Sequence, residues 1–205
     1  MLKMQKQVQH DEALLFDDIV KRGLITNFGI AADIGAHVGS WAVRMAEKFE
    51  NVLAFEPEKE AYDALVENTA EIGNVKPLRA AVTDKVGLAE VYAPKNSRGK
   101  TRRALTSRQV RESKTPNVES ITVDSLVLPG CGFMKIDVEG CEPLVLDGAA
   151  ATIEAFKPIL CVEIGGLSKR FGYSEHALVK KVRKMGYELI FASGVDHVFV
   201  PKADA

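Results

Sequence analysis

Four carboxylates stand where apolar runs of this sequence end. Asp33 follows Ile30-Ala31-Ala32, Glu56 follows Val52-Leu53-Ala54-Phe55, Asp137 follows Phe133-Met134-Lys135-Ile136, and Glu163 follows Ile159-Leu160-Cys161-Val162. Acids in such places do two kinds of chemistry. In a βαβ unit an acid at the tip of the second strand accepts hydrogen bonds from ribose hydroxyls. Within reach of a hydroxyl nucleophile, a carboxylate takes its proton as the new bond forms. Asp137 and Glu139 are two residues apart, so they share one side if the strand persists that far. With Glu163 they are then placed to share a proton, or to hold a divalent cation against an acceptor hydroxyl. Simpler roles stand beside these: a helix cap for Asp33, a solvated strand end for Glu56, and favourable charge at a helix N-terminus for Glu139 or Glu142. Glu142 reads as the helix-starting acid and Asp137 as the reactive one, while Glu139 suits either part.

The turn after the first acid is the second chemical signal. Asp33-Ile34-Gly35-Ala36-His37-Val38-Gly39-Ser40 reads as a strand end, a glycine-containing turn and a helix start, with Ser40 a candidate cap. Gly35 and Gly39 allow a tight turn and a close backbone approach to a ligand. The pattern D-x-G-x-x-x-G lacks the close first glycine pair of the dinucleotide fingerprint, which argues against a pyrophosphate and a nicotinamide-dependent oxidoreductase. Asp33 and Glu56 together suit a ligand with a ribose and a cationic appendage, a description that S-adenosylmethionine meets. His37, inside the turn, either packs locally or serves as a base. Asp84, in the turn Thr83-Asp84-Lys85-Val86-Gly87, is placed to meet an adenine amino group, or is simply a turn aspartate. Lys135 is expected to pair with a carboxylate, and Trp41, His176 and His197 to be structural.

These groups need a scaffold that brings strand tips to one edge. Apolar runs over Ile30–Ala32, Asn51–Phe55, Val75–Val82, Gly132–Val138 and Ile159–Ile164 alternate with helical patterns over Val8–Arg22, Ser40–Lys48, Glu58–Ile72, Pro143–Phe156 and Ser174–Met185. Alternation of this kind builds a doubly wound α/β fold around a parallel sheet. Tyr187–Ala192 and His197–Val200, joined by Ser193-Gly194-Val195-Asp196, add an antiparallel hairpin at its edge. With 205 residues, 46% of them hydrophobic, one domain is the simplest reading, with residues 1–29 as an N-terminal helical extension.

Residues 94–117 depart from the rest and read as a basic variable loop. Lys95, Arg98, Lys100, Arg102, Arg103, Arg108, Arg111 and Lys114 face the single acid Glu112. Such a block covers an acidic or phosphorylated substrate, with Arg102 and Arg103 as its binding residues, or is a solvated excursion. It carries no aromatic on which bases would stack, and the formal net charge of −1 does not indicate a global nucleic-acid binder. Three cysteines without C-x-x-C spacing suggest neither disulfides nor a thiolate zinc site. No run is long and apolar enough to span a bilayer, and residues 1–7 lack a secretory apolar segment, so a cytoplasmic location is expected.

Several of these stretches resemble the FkbM family of S-adenosylmethionine-dependent methyltransferases: Asp33–Gly39, Ala54-Phe55-Glu56-Pro57, Thr122-Val123-Asp124-Ser125-Leu126 and, most specifically, Lys135–Ala149. The resemblance extends from about Ile30 to Pro201. It implies the seven-stranded class I methyltransferase fold, Rossmann-like and closed by an antiparallel hairpin strand. It also implies S-adenosylmethionine held by the loop after the first strand, and methylation of a hydroxyl, often on a sugar or polyketide. By position, Asp33, Gly35 and Gly39, with Ala36 and His37 between them, would shape the methionine end, Glu56 would hold the ribose, and Asp137 would sit beside the transferring methyl. A small-molecule or glycosylated acceptor is the expected partner, an anionic one if the basic segment faces it. The other readings are a nucleic-acid methyltransferase and a cofactor-binding protein without turnover. Cys141 stands where the family suggests a small alanine.

Overall fold

Strand β1 (Ile30–Ile34) is almost completely buried, and the chain is laid out on either side of it. The computed structural model describes residues 14–92, 109–111 and 114–203. On one side of β1 come β2 (Asn51–Phe55) and β3 (Val75–Leu78), on the other β8 (Phe133–Ile136) and β9 (Ile159–Glu163), all parallel. The hairpin of β10 (Tyr187–Ser193) and β11 (Asp196–Pro201) closes the sheet, with β11 antiparallel to β9. The order β10-β11-β9-β8-β1-β2-β3 is the seven-stranded, mostly parallel sheet with the expected antiparallel C-terminal hairpin.

Helices cover both faces, as a parallel sheet requires. On one face α1 (residues 14–21) and α2 (Ser40–Ala46) bury Phe16, Ile19, Trp41 and Met45 against Ala31, Phe133 and Cys161. On the other, α4 (Glu142–Gly148), α5 (Ala150–Phe156) and α6 (Glu175–Lys184) bring Val145, Leu146, Ile153, Leu178 and Val182 onto Met134, Ile136, Leu160 and Val162. Helix α3 (Lys59–Thr69) packs Leu65 into the first of these layers. Because strand side chains alternate, Asp33, Lys135 and Glu163 project to the same face as Ala31, Phe133 and Cys161. The last positions of three neighbouring strands on that face are thus ionisable.

A second, four-stranded sheet was not expected. Its order is β4 (Ala80–Val82), β7 (Val118–Ile121), β5 (Gly87–Tyr92) and β6 (Gln109–Arg111). The run Val75–Val82, read as one strand, is therefore two. Glu56 N–H donates to Leu78 O at the end of β3, after which the chain leaves the main sheet and Ala81 packs with Ala89 and Val118. Strand β6 lies inside the segment read as a loop; it pairs antiparallel with β5, and Val110 packs on the same small cluster. The helix expected over Pro143–Phe156 divides at Ala149 into α4 and α5, where the carboxylate of Asp124 accepts from Ala151 N, Thr152 N and Thr152 Oγ1 and caps the second piece. Among the described residues no helix is long and apolar enough to cross a membrane.

Candidate active site

The ends of β1, β2 and β8 meet in a cleft whose walls include Asp33, His37, Glu56, Lys135, Asp137 and Glu139. Ligands of open α/β sheets bind beyond strand C-termini such as these. The turn from β1 to α2 is shaped by two glycines in the left-handed region, Gly35 at φ +88° and Gly39 at φ +93°. A Cβ on Gly35 would stand 1.7 Å from Asp137 O, and one on Gly39 would stand 2.7 Å from Leu65 Cδ1. The glycines thus open the backbone toward Asp137 and α3. Gly39 also takes the N-cap position expected for Ser40, and no side chain caps α2.

Glu56 ties this turn to β2. Its Oε2 accepts the backbone N–H of His37 at 2.9 Å and its Oε1 that of Glu58 at 2.8 Å. Burial raises its pKa to about 7 against the two hydrogen bonds that lower it. His37 holds a left-handed φ of +50°, and burial lowers its pKa, so the ring is neutral. Its Nε2 is buried and has no hydrogen-bond partner among the described residues.

Across the cleft, Lys135 Nζ lies 2.8 Å from Asp137 Oδ2 and 5.3 Å from the centroid of the Trp41 ring. The lysine side chain is 5% exposed and that of Asp137 is 36% exposed. Desolvation works against the ammonium, but Asp137 and Asp33 outweigh it and hold Lys135 above its usual pKa. The same ammonium holds Asp137 below the usual carboxylate range, against desolvation. Glu163 stands beside Asp137, one step beyond the β8–β9 pairing of Ile136 with Val162, and burial and the Asp137 charge push its carboxyl up to about 9. Asp196, in register opposite Glu163 on β11, adds a further acid facing Lys135.

Strand β8 stops at Ile136, so Asp137 and Glu139 do not share a strand face as expected. Glu139 adopts φ +54° and Gly140 φ +100°, turning the chain into α4. Glu142 opens that helix, and it does more than offer charge. Buried at 1% exposure, it accepts from Gly140 N at 2.8 Å, from Val138 N at 3.3 Å and from Ser168 Oγ at 2.7 Å, so it holds the turn beneath Glu139.

The expected site residues separate into three groups. Asp33, Gly35, Ala36, His37, Glu56, Asp137 and Glu139 line the cleft, and Gly39 shapes it from behind. Glu163 meets it through Asp137. Asp84 is not brought to Asp33 and Glu56; it lines a second cavity of about 640 Å³ with Lys85, Leu88, Arg111 and Phe171. Arg102 and Arg103 lie outside the described residues. The cleft itself is about 120 Å³, and Val91 and Val110, paired across β5 and β6, close one side of it. Lys135 pairs with a carboxylate as expected, and that carboxylate is Asp137 in the cleft. Asp196 and this β-ribbon were not anticipated as parts of the site; the pairing register brings them there. Among the described residues no group of three or more His, Cys, Asp or Glu side chains is arranged to hold a metal ion.

The chain is 30% identical over 138 residues to the hexuronic acid methyltransferase AglP of Haloferax volcanii, a match spanning 64% of this chain and 54% of that protein. The crystal structure of methyltransferase FkbM from Methylobacillus flagellatus superposes with a TM-score of 0.57 at 14% identity, covering 84% of this chain and 43% of that one. A SAM-dependent methyltransferase from Aquifex aeolicus superposes with a TM-score of 0.51 at 12% identity, covering 95% of both chains. The chain spans about half the length of the first two relatives, and at these identities the structural likeness speaks for the fold alone. Residues 33–189 match the methyltransferase FkbM domain, and the chain belongs to that family.

Proposed function

We propose that the chain is an S-adenosylmethionine-dependent O-methyltransferase whose acceptor is a sugar hydroxyl, with an acidic sugar the favoured class. The observation that carries this reading is the clustering of Asp33, Glu56 and Asp137 around one cleft in which Lys135 is the buried cation. Such a cleft favours a ligand that brings positive charge of its own. The buried His37 Nε2 offers a polar contact to whatever enters. Glu56 would take the ribose hydroxyls on the lone pairs its two backbone bonds leave over, while Asp33, Asp137 and the Gly35–Gly39 turn would face the methionine end. The bound cofactor would supply an activated methyl group.

The chain's own residues then have two tasks. One is alignment, since an in-line displacement depends on holding nucleophile and methyl at near-attack distance. The rigid β1–α2 turn, locked to β2 by Glu56 and to β8 at Gly35, suits that task. The other is to receive the hydroxyl proton, for which Asp137 is the carboxylate in the cleft wall. Ligand pockets usually measure roughly 300 Å³ or more. A cleft of about 120 Å³ must therefore open, and the β5–β6 ribbon, whose Val91 and Val110 close one side, would be the wall to give way.

The acidic-sugar preference rests on two supports. The Haloferax relative is described as acting on hexuronic acid. The segment 94–117 carries eight Lys and Arg residues against one acid, and Arg102 and Arg103 would meet the acceptor carboxylate. Incubation with methyl-labelled S-adenosylmethionine and a panel of neutral sugars, hexuronic acids, polyketides and RNA tests the reading. Label in the hexuronic acids, with a raised KM in R102E/R103E and unchanged cofactor affinity, is expected. Label in RNA alone, or in none of the acceptors, would overturn it.

A further inference from the structure

The charged row at the sheet edge has a composition that the alignment of cofactor and acceptor does not require. The pair Asp137 and Glu163 is faced by Lys135 from β8, Asp196 from β11, His37 from the β1–α2 turn, and Glu139 and Glu142 from the turn into α4, while Asp33 from β1 faces Lys135. Among these groups Lys135 is the fixed cation, since His37 is held neutral. Strand register makes the row rigid: Asp33 is opposite Lys135, and Glu163 is opposite Asp196. Asp137 and Glu163 stand side by side one step beyond the pairing of Ile136 with Val162, and like charges on neighbouring strands cannot all ionise beside a single ammonium, so one carboxyl stays neutral until more positive charge arrives.

We infer, on the methyl-transfer reading above, that Asp137 and Glu163 share one proton while the cleft holds no cationic ligand, give it up when a sulfonium enters, and recover it from the acceptor hydroxyl. The balance is complete without a further reagent. As the acceptor O–H bond breaks and the O–CH3 bond forms, the electron pair of the S–CH3 bond returns to sulfur and its positive charge disappears. The hydroxyl proton then ends on the carboxyl pair, whose charge again matches a neutral ligand. Asp137 is the catalytic residue, in the cleft wall. Glu163 is a positioning residue that acts through Asp137, keeping its carboxylate oriented and storing the proton out of contact with the acceptor. The row also favours the charged donor over its neutral product, so product release is built into the electrostatics.

Isothermal titration of the full chain near pH 7, in two buffers of different ionisation enthalpy, reads the proton directly. S-adenosylmethionine is expected to bind with release of a proton, approaching about one per site, and S-adenosylhomocysteine with none. Over the same range the affinity for S-adenosylmethionine rises with pH, approaching about tenfold per unit, while that for S-adenosylhomocysteine stays flat. Glu163→Gln, which can still donate to Asp137, is expected to bind the methyl donor without releasing a proton. Equal proton exchange with the two ligands, no exchange with either, or undiminished release from Glu163→Gln would overturn the inference and leave the methyl-donor reading standing. Absence of binding by both ligands would overturn both. Should the variant not fold, the two-ligand comparison on the unaltered chain decides alone.

Discussion

The ammonium of Lys135 and the carboxylate of Asp137, 2.8 Å apart, form an ion pair in which the lysine is buried under Trp41 and the aspartate looks into the cleft. The pair is asymmetric in solvent, so its two halves fail differently when removed. Lys135→Met takes away the charge that Asp33, Asp137 and Asp196 all face. Breaking a buried pair costs about 3–5 kcal/mol, and the partial exposure of Asp137 puts this case at about 3 kcal/mol. Urea unfolding of Lys135→Met against the unaltered protein measures it. A loss under about 1 kcal/mol would mean that the ammonium is not compensating buried acids.

Asp137→Asn keeps the shape and removes the proton acceptor. General-base catalysis contributes about 10²- to 10⁴-fold, so kcat is expected to fall within that range while cofactor affinity changes far less. Steady-state kinetics with the identified acceptor checks it. A kcat unchanged within a factor of about two would transfer the base to another group.

Glu163 makes stability depend on pH in a calculable direction. Its folded pKa is about 9 against an ordinary 4.5. The unfolded chain therefore loses this proton first as pH rises, and stability from this group is present below the unfolded value and lost through the folded one. Glu56, raised to about 7, acts in the same sense over the lower part of that window. Thermal melts across the window should show Glu163→Gln gaining on the unaltered protein as pH rises toward about 9. A constant difference between the two would mean that Glu163 is not protonated in the fold.

Gly35 is a position where a single methyl group is not tolerated. Its φ is +88°, and a Cβ would stand 1.7 Å from the backbone oxygen of Asp137. Gly35→Ala should destabilise by more than about 3 kcal/mol, or abolish soluble expression, because neither chain segment can move without breaking sheet bonds. Gly73→Ala, with open space around its Cβ, is the control and should stay within about 0.5 kcal/mol.

Asp124 falls in the Thr122–Leu126 stretch that resembles the family, yet its carboxylate is occupied with the N-terminus of α5. Asp124→Ala should cost about 1–2 kcal/mol by urea unfolding, with kcat and KM unchanged. A selective loss of activity at full stability would give this acid a part in catalysis.

Much of the site is legible in the sequence because strand-tip acids announce themselves. Asp33, Glu56 and Asp137 each end an apolar run, and a parallel sheet gathers such ends at one edge. What surrounds them is set by register, which a sequence does not carry on its face. Lys135 is one lysine in a strand until β1 and β9 flank it. Asp196 reads as a hairpin-turn residue until β11 pairs with β9 and puts it opposite Glu163. The three residues of β6 lie within a basic stretch of 94–117, and their strand character comes from β5 alone. Asp84 illustrates the converse. Its place after the third apolar run suggests the cofactor, but the chain leaves the main sheet at Leu78, so Asp84 lies in the turn after β4 of the other sheet and lines another cavity.

The central claim is that the methyl donor occupies the cleft between Glu56 and Asp137. A crystal structure of the full chain with S-adenosylhomocysteine tests it most directly. The ribose is expected against Glu56 and the sulfur on the Asp137 side, with the β5–β6 ribbon displaced outward. A ligand seated instead in the cavity beside Asp84 and Phe171, with Glu56 and Asp137 untouched, would contradict the account.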